Sequence, residues 1–203
     1  MEHEQKRKDG LREHKRRETH RRLTETGLKL FAENGYEATT LDAIAEASGI
    51  ARRTFFHYFR SKEEIILAWQ SAMPDRLRVE ILKQGVVASP IATCQAALIA
   101  LSEDMEPQVA VMIGRIVQST EQLRASNQAK FLQMELAGYE ALRELWPEEG
   151  RQVGLRLAAM LLVGAMRLSI DVWVAEEGQR PLAEYLQTYF ECLKIELGAF
   201  AEK

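Results

Sequence analysis

Between positions 41 and 58 the chain sets Ala45, Gly49, Ile50 and Phe55 at the spacing of a helix-turn-helix. A small residue midway along a first helix lets a second approach closely, a glycine turns the chain, and apolar residues just after the turn and five positions later seal the pair. The flanking segments agree. Leu23, Leu28, Leu30 and Phe31, with Ala32 beside them, trace one face of a helix over residues 17–33, and Asn34-Gly35 stops it. Thr39-Thr40 offers a hydroxyl cap for a helix over 41–47 with Leu41, Ile44 and Ala45 turned inward, and Thr39 and Asp42 stand at capping-box spacing. Ser48-Gly49-Ile50 makes the turn with Ile50 buried behind it, and a third helix covers 52–59. Ser61 and Glu64 then form a capping box that opens a fourth.

Beyond Ser61 the helical period continues between breakers. Helices are expected near 62–83, with a bend at Pro74, and over 90–104, 107–118, 121–145, 148–176 and 182–200. The joints fall at Gly85 and Ser89-Pro90, at Pro107, at Trp146-Pro147, and from Gly178 to Pro181. There is no alternating strand pattern and no internal repeat. The expected fold is all-α: a basic disordered tail over 1–15, a three-helix N-terminal helix-turn-helix domain over 16–61, and a C-terminal helical domain over 62–203. The helix at 148–176 is apolar nearly all round across 157–174, which calls for partners on two sides.

Charge divides the chain at the same place. Residues 1–62 hold fourteen Lys and Arg against ten Asp and Glu, and residues 63–203 hold thirteen against twenty. A basic head on an acidic body points to an anionic partner for the head. Cys94 and Cys192 lie far apart in apolar stretches. That placement excludes a disulfide framework and a CxxC metal site, and fits two buried thiols in a reducing compartment. The opening MEHEQKRKDG has no apolar run of the signal-peptide kind. The longest apolar run, ten residues over 157–166, is shorter than the roughly 18 of a membrane span. A soluble cytoplasmic protein that avoids membranes is the expectation.

The segment LKLFAENGYEATTLDAIAEASGIARRTFFHYFRSKEEI, residues 28–65, resembles the DNA-binding domain of the TetR family of transcriptional regulators. The family pattern is matched at Leu30, Phe31, Gly35, Tyr36, Thr39, Thr40, Ile44, Ala45, Gly49, Thr54, Phe55, Phe59, Ser61, Lys62 and Glu63. The resemblance implies a sequence-specific DNA-binding regulator with a C-terminal ligand-binding and dimerisation domain. It implies a repressor on a palindromic operator of double-stranded DNA, released by a small apolar ligand. It also implies a homodimer in which helices 148–176 and 182–200 pair across a two-fold axis. A constitutive dimeric regulator without an effector, or an activator, would share the same head.

Arginine is the side chain that forks onto guanine O6 and N7. Arg52 or Arg53, on the first turn of the recognition helix, is therefore expected to read a base, the alternative being that both clamp phosphates, with Thr54 and His57 beside them. Thr39, Thr40 and Lys62 are expected phosphate contacts, and Arg16, Arg17 and Arg21 extend the electrostatic footprint. The tyrosine with which the family reaches a phosphate is Phe56 here, which leaves Tyr58 or His57 as alternatives for that contact. Phe31, Phe55 and Phe59 have the spacing of core residues.

In the body, Met73, Met105, Met112, Met134 and Met166 are candidate walls of a ligand pocket because thioether side chains adapt to irregular apolar shapes. Trp69, Tyr139 and Trp173 join them, and each of these residues equally suits a packed core. Arg167 and Asp171 interrupt an apolar run at a spacing that lets them satisfy one another. Arg115, inside another, suits a ligand acid or a Glu on a neighbouring helix. The composition argues against an enzyme. All four histidines, His3, His14, His20 and His57, lie in the tail and head, and no HExxH, P-loop, GxGxxG or GxSxG occurs. No cofactor and no metal is expected.

Overall fold

The computed structural model describes residues 2–103 and 106–201. They form nine helices: α1 (Glu2–Asn34), α2 (Leu41–Ala47), α3 (Arg52–Phe55), α4 (Lys62–Gln84), α5 (Pro90–Glu103), α6 (Pro107–Val117), α7 (Glu121–Leu145), α8 (Gln152–Ala175) and α9 (Leu182–Ala201). No strand occurs among the described residues. The chain divides into two compact units, Met1–Trp69 and Gln70–Lys203.

In the first unit, Leu23, Leu28 and Phe31 of α1 are buried together with Ile44 and Ala45 of α2 and Phe55 of α3. Removing a ring such as that of Phe55, 0% exposed, would cost about 3–5 kcal/mol. Thr40 caps α2, its Oγ1 accepting from the Ala43 amide at 3.1 Å. Gly49 takes φ of +66° in the turn, a conformation that a side chain would strain. Ile50 behind it is half-buried rather than sealed, as is Leu41. The helical conformation of α3 ends at Phe55, and single turns continue it: His57 donates to the Thr54 carbonyl and Phe59 to that of Phe55. The expected helix over 52–59 is thus a short helix plus turns.

Two expected boundaries move. The stretch expected as a disordered tail over 1–15 belongs to α1, which runs from Glu2 without a break. Its residues are mostly good helix formers, and ion pairs one turn apart brace it, Glu13 with Arg16 and Arg17 among them. The division expected at 61/62 lies at 69/70. The reason is packing, since Ile65 and Ile66 of α4 are fully buried and Ile65 lies against Gly27 of α1.

The second unit is organised around α8, which packs against α5, α6, α7 and α9. Helix α8 is, by length and composition, apolar enough to cross a membrane. The ten-residue run understated it, because single arginines at 156 and 167 interrupt a longer apolar stretch. Its inner face, including Leu155, Ala159, Leu162, Val163 and Trp173, is buried. Its outer face exposes Val153, Leu157, Met160 and Leu168. At Gly114 of α6 an added Cβ would fall 2.6 Å from Val174 Cγ2, so glycine permits the close approach of α6 to α8. Cys94 is buried, and burial pushes its thiol up to about 12. Cys192, expected to be buried, is exposed on the outer side of α9.

Candidate nucleic-acid interface and the residues of the body

The helix-turn-helix sorts its side chains cleanly. Phe55 and Phe59 pack with ring centroids 5.9 Å apart, and Phe59 meets His20 at 4.7 Å, so these rings are core rather than stacking platforms. Outside this core Thr40, Arg52, Arg53, Thr54 and His57 are exposed, while Phe56 and Tyr58 are half-buried. Arg52 Nε lies 2.8 Å from Asp42 Oδ1 of α2, and its guanidinium stands 5.6 Å from the Phe56 ring centroid. Arg53, the next residue, has no charged partner among the described residues. Sequence alone left the two equivalent. The pairing of Arg52 with Asp42 separates them, although an exposed pair of this kind is worth only about 0–1 kcal/mol.

The expected phosphate contacts divide as well. Thr40 uses a lone pair to cap α2, and its O–H remains a donor at an exposed position. Thr39 is buried, and its hydroxyl donates to the carbonyls of Leu30 at 3.1 Å and Gly35 at 2.8 Å. It therefore latches the end of α1. Lys62 Nζ donates to the carbonyls of Tyr36 at 2.7 Å and Glu37 at 3.3 Å, with Glu37 Oε2 at 3.6 Å and the Tyr36 ring 4.5 Å away. Its ammonium holds the α1–α2 loop from within. In the capping box Ser61 Oγ accepts from the Glu64 amide, and the Glu64 carboxylate accepts from Arg60 N, one residue earlier than the ideal pattern.

On α1, Arg16 and Arg17 each reach Glu13 at 3.0 Å, and Arg21 reaches Glu25 at 2.9 Å. The hydrogen bond from Arg16, followed by that from Arg17, holds the Glu13 carboxyl down near 2. The half-buried position of His20 against Phe59 was not anticipated. Burial, and then the charge of Arg16, lowers its pKa. The signal was its place three residues before Leu23 on the apolar face of α1.

In the body the candidate ligand residues scatter. Met73, Met134, Met166 and Trp173 are buried in the core, and Trp173 Nε1 donates to the Arg180 carbonyl at 2.9 Å. Trp69 is half-buried and belongs to the first unit. Tyr139 is half-buried, with the Arg143 and Arg156 guanidiniums 5.5 and 5.8 Å from its ring centroid. Met105 lies outside the described residues. The charges expected inside apolar surroundings are exposed. Arg167 and Asp171 both face outward, and no ion pair joins them among the described residues. Arg115 donates to Glu177 Oε1 at 2.8 Å, an exposed pair at the rim of an open pocket of about 480 Å³ that Met112 also lines. Apolar runs hid these outer faces, because a helix between two layers carries apolar residues around most of its circumference. A narrower apolar cavity of about 230 Å³ lies between α5, α8 and α9, lined by Ile91, Leu161, Leu162, Phe190 and Leu197.

A buried polar group in this unit was not anticipated. Gln70 of α4 donates to Asn127 Oδ1 of α7 at 3.3 Å, and Lys130 Nζ donates to the same oxygen at 2.8 Å. Lys130 is 8% exposed, and burial, partly offset by the charge of Asp171, lowers it to about 8. Its position seven residues after buried Leu123 placed it on the inner face, which is the signal that could have found it.

Comparison with known proteins agrees with this architecture. Residues 23–69 match the description "Bacterial regulatory proteins, tetR family". Over 66 residues, 32% of this chain and 29% of the relative, the sequence is 47% identical to the HTH-type transcriptional regulator TcmR of Streptomyces glaucescens. That match spans less than a third of the relative's own length. Over 88% of this chain and 95% of the relative it is 22% identical to the fatty acid metabolism regulator protein of Bacillus subtilis. The crystal structure of Thermus thermophilus FadR, a TetR-family transcriptional repressor in complex with lauroyl-CoA, is similar with a TM-score of 0.58 and 25% identity, covering 86% of this chain and 92% of that one. By its matched helix-turn-helix, the exposed basic face of that motif and its all-helical body, the chain belongs to the TetR family of bacterial regulatory proteins.

Proposed function

We propose that this TetR-family regulator is a cytoplasmic repressor that binds a palindromic operator as a homodimer and is released by a small apolar ligand. The observation that carries the DNA-binding part is the division of α3 and the turns after it. Phe55 and Phe59 are sealed inside, while Arg53, Thr54 and His57 stand exposed on the first turns of the second helix. Those are the positions that enter a major groove in this motif. Arg53 is the base reader in this account, Thr40 donates to a phosphate, and Arg52 exchanges Asp42 for the DNA backbone. Arg16, Arg17 and Arg21 supply sequence-independent attraction.

The dimer reading rests on α8, where Val153, Leu157, Met160 and Leu168 are 73%, 47%, 43% and 48% exposed along one face. Apolar faces of this kind mark interfaces, and a two-fold dimer supplies the two heads that a palindrome requires. The likeness to a repressor that holds lauroyl-CoA supports an apolar effector, bound in the second unit. Release then needs only that the ligand bind one conformational state more tightly than the other. Helix α4, which contains Pro74 and the unit boundary, is the segment through which such a change would travel.

The test is affinity for a specific operator and for a scrambled duplex. Arg53→Ala is expected to cost about 1–3 kcal/mol on the operator alone. Equal losses on both duplexes would contradict base reading by Arg53.

A further inference from the structure

We infer that the buried carboxamide of Gln70 is the point at which the effector is recognised, and that the effector is an apolar molecule bearing a hydrogen-bond donor, a hydroxyl or an N–H. This rests on the effector-released reading above. A chain of donors fixes the amide orientations. The Lys130 ammonium can only donate, and it lies 2.8 Å from Asn127 Oδ1, so an oxygen must stand there. Gln70 faces that same oxygen at 3.3 Å and must turn its nitrogen toward it. Its oxygen is thereby directed away.

Gln70 is 1% exposed, and its Oε1 is buried with no hydrogen-bond partner among the described residues. Buried polar atoms in folded proteins are nearly always paired. A carboxamide oxygen offers only lone pairs, so whatever completes this one must donate. Pro74 also denies the Gln70 carbonyl its usual partner one turn on, because proline has no amide hydrogen. Ser169 does not supply the missing donor, since its hydroxyl already donates to the Ala165 carbonyl at 2.8 Å.

The neighbours in register define the rest of the ligand. Met73 and Leu77 follow Gln70 on the inner face of α4, and Phe131 and Met134 accompany Lys130 on α7, all of them buried. An aliphatic or aromatic body suits these apolar neighbours, and the two methionines can repack around it.

The experiment uses the full chain and probe pairs that differ only in the donor: 1-octanol and octyl methyl ether, 1-naphthol and 1-methoxynaphthalene, octanamide and N,N-dimethyloctanamide. Calorimetry on the wild type is expected to show at least one donor-bearing probe binding about ten-fold or more tightly than its methylated counterpart. That advantage should vanish in Gln70→Leu, or in the near-isosteric Gln70→Met where Leu does not fold. Without ligand, Gln70→Leu should keep or raise Tm, because an unpaired buried acceptor has gone, whereas a merely structural glutamine would lower it. Equal affinity within every pair, binding by none of the probes, or discrimination that survives Gln70→Leu overturns the inference. So does a crystal structure in which only a water meets Oε1 whichever probe is present. Ligand-free wild type and Gln70→Leu should retard operator DNA alike. If neither does, the repressor reading fails, while the probe pairs still judge the Gln70 site.

Discussion

Asp42 holds Arg52 at 2.8 Å while Arg53 stands free of charged partners among the described residues, so the two neighbours should respond differently to substitution. Arg52→Ala is expected to weaken binding to all duplexes alike and to lower the slope of log affinity against log salt by about one, the signature of a phosphate contact. A relaxed base preference in Arg52→Ala would reverse the assignment. Thr39 illustrates the same separation inside the fold. Its hydroxyl bonds two carbonyls at the end of α1, so Thr39→Val should cost about 1–2 kcal/mol of stability, read from urea midpoints. Lys130 makes a pH prediction. The folded chain releases its proton near 8 and the unfolded chain near 10.5, so the unfolded state holds more protons between those values and stability rises with pH across that window. Below about 8 both states are protonated and the burial penalty is complete. Lys130→Met should therefore be more stable than wild type at pH 7, by on the order of 2 kcal/mol, with the gain shrinking toward pH 10. A variant less stable than wild type at pH 7 would contradict this.

Helix α8 carries the prediction at the scale of elements. Charges placed on its outer face, Leu157→Glu with Leu168→Glu, should leave the fold intact and yield a monomer near 23.1 kDa by sedimentation. Cys192, exposed on α9, gives a second readout, since thiol labelling should be faster in that variant than in a wild type whose proposed interface includes α9. A 23.1 kDa wild type at micromolar concentration would sink the dimer. The elements of the body were legible in the sequence because Pro90, Pro107 and the stretch from Gly178 to Pro181 punctuate a continuous helical period. The α2–turn–α3 pair was legible because Ala45, Gly49 and Phe55 carry its spacing. The start of α1 was not, since its first turns have no apolar face in the sequence and depend on helix propensity. The orientation of Thr39 and the exposure of Arg115 and Arg167 were not legible either. Each depends on which neighbour a helix meets, and a period of 3.6 residues does not report that.

At the scale of the whole chain, the basic head and the acidic body match the proposed division of labour, in which the first unit meets DNA and the second answers to a ligand and a second copy. The net charge of −3 conceals this, because the excess of basic residues lies before position 63 and the excess of acidic ones after it. Binding should consequently fall steeply with salt even though the protein is acidic overall. The most direct measurement is retardation of the DNA upstream of the protein's own gene, at low salt, by wild type and by an Arg52→Ala/Arg53→Ala variant of equal Tm. The account predicts a discrete shifted complex with wild type that survives excess scrambled duplex and is lost in the variant. No complex with wild type, or an undiminished one with the variant, would contradict it.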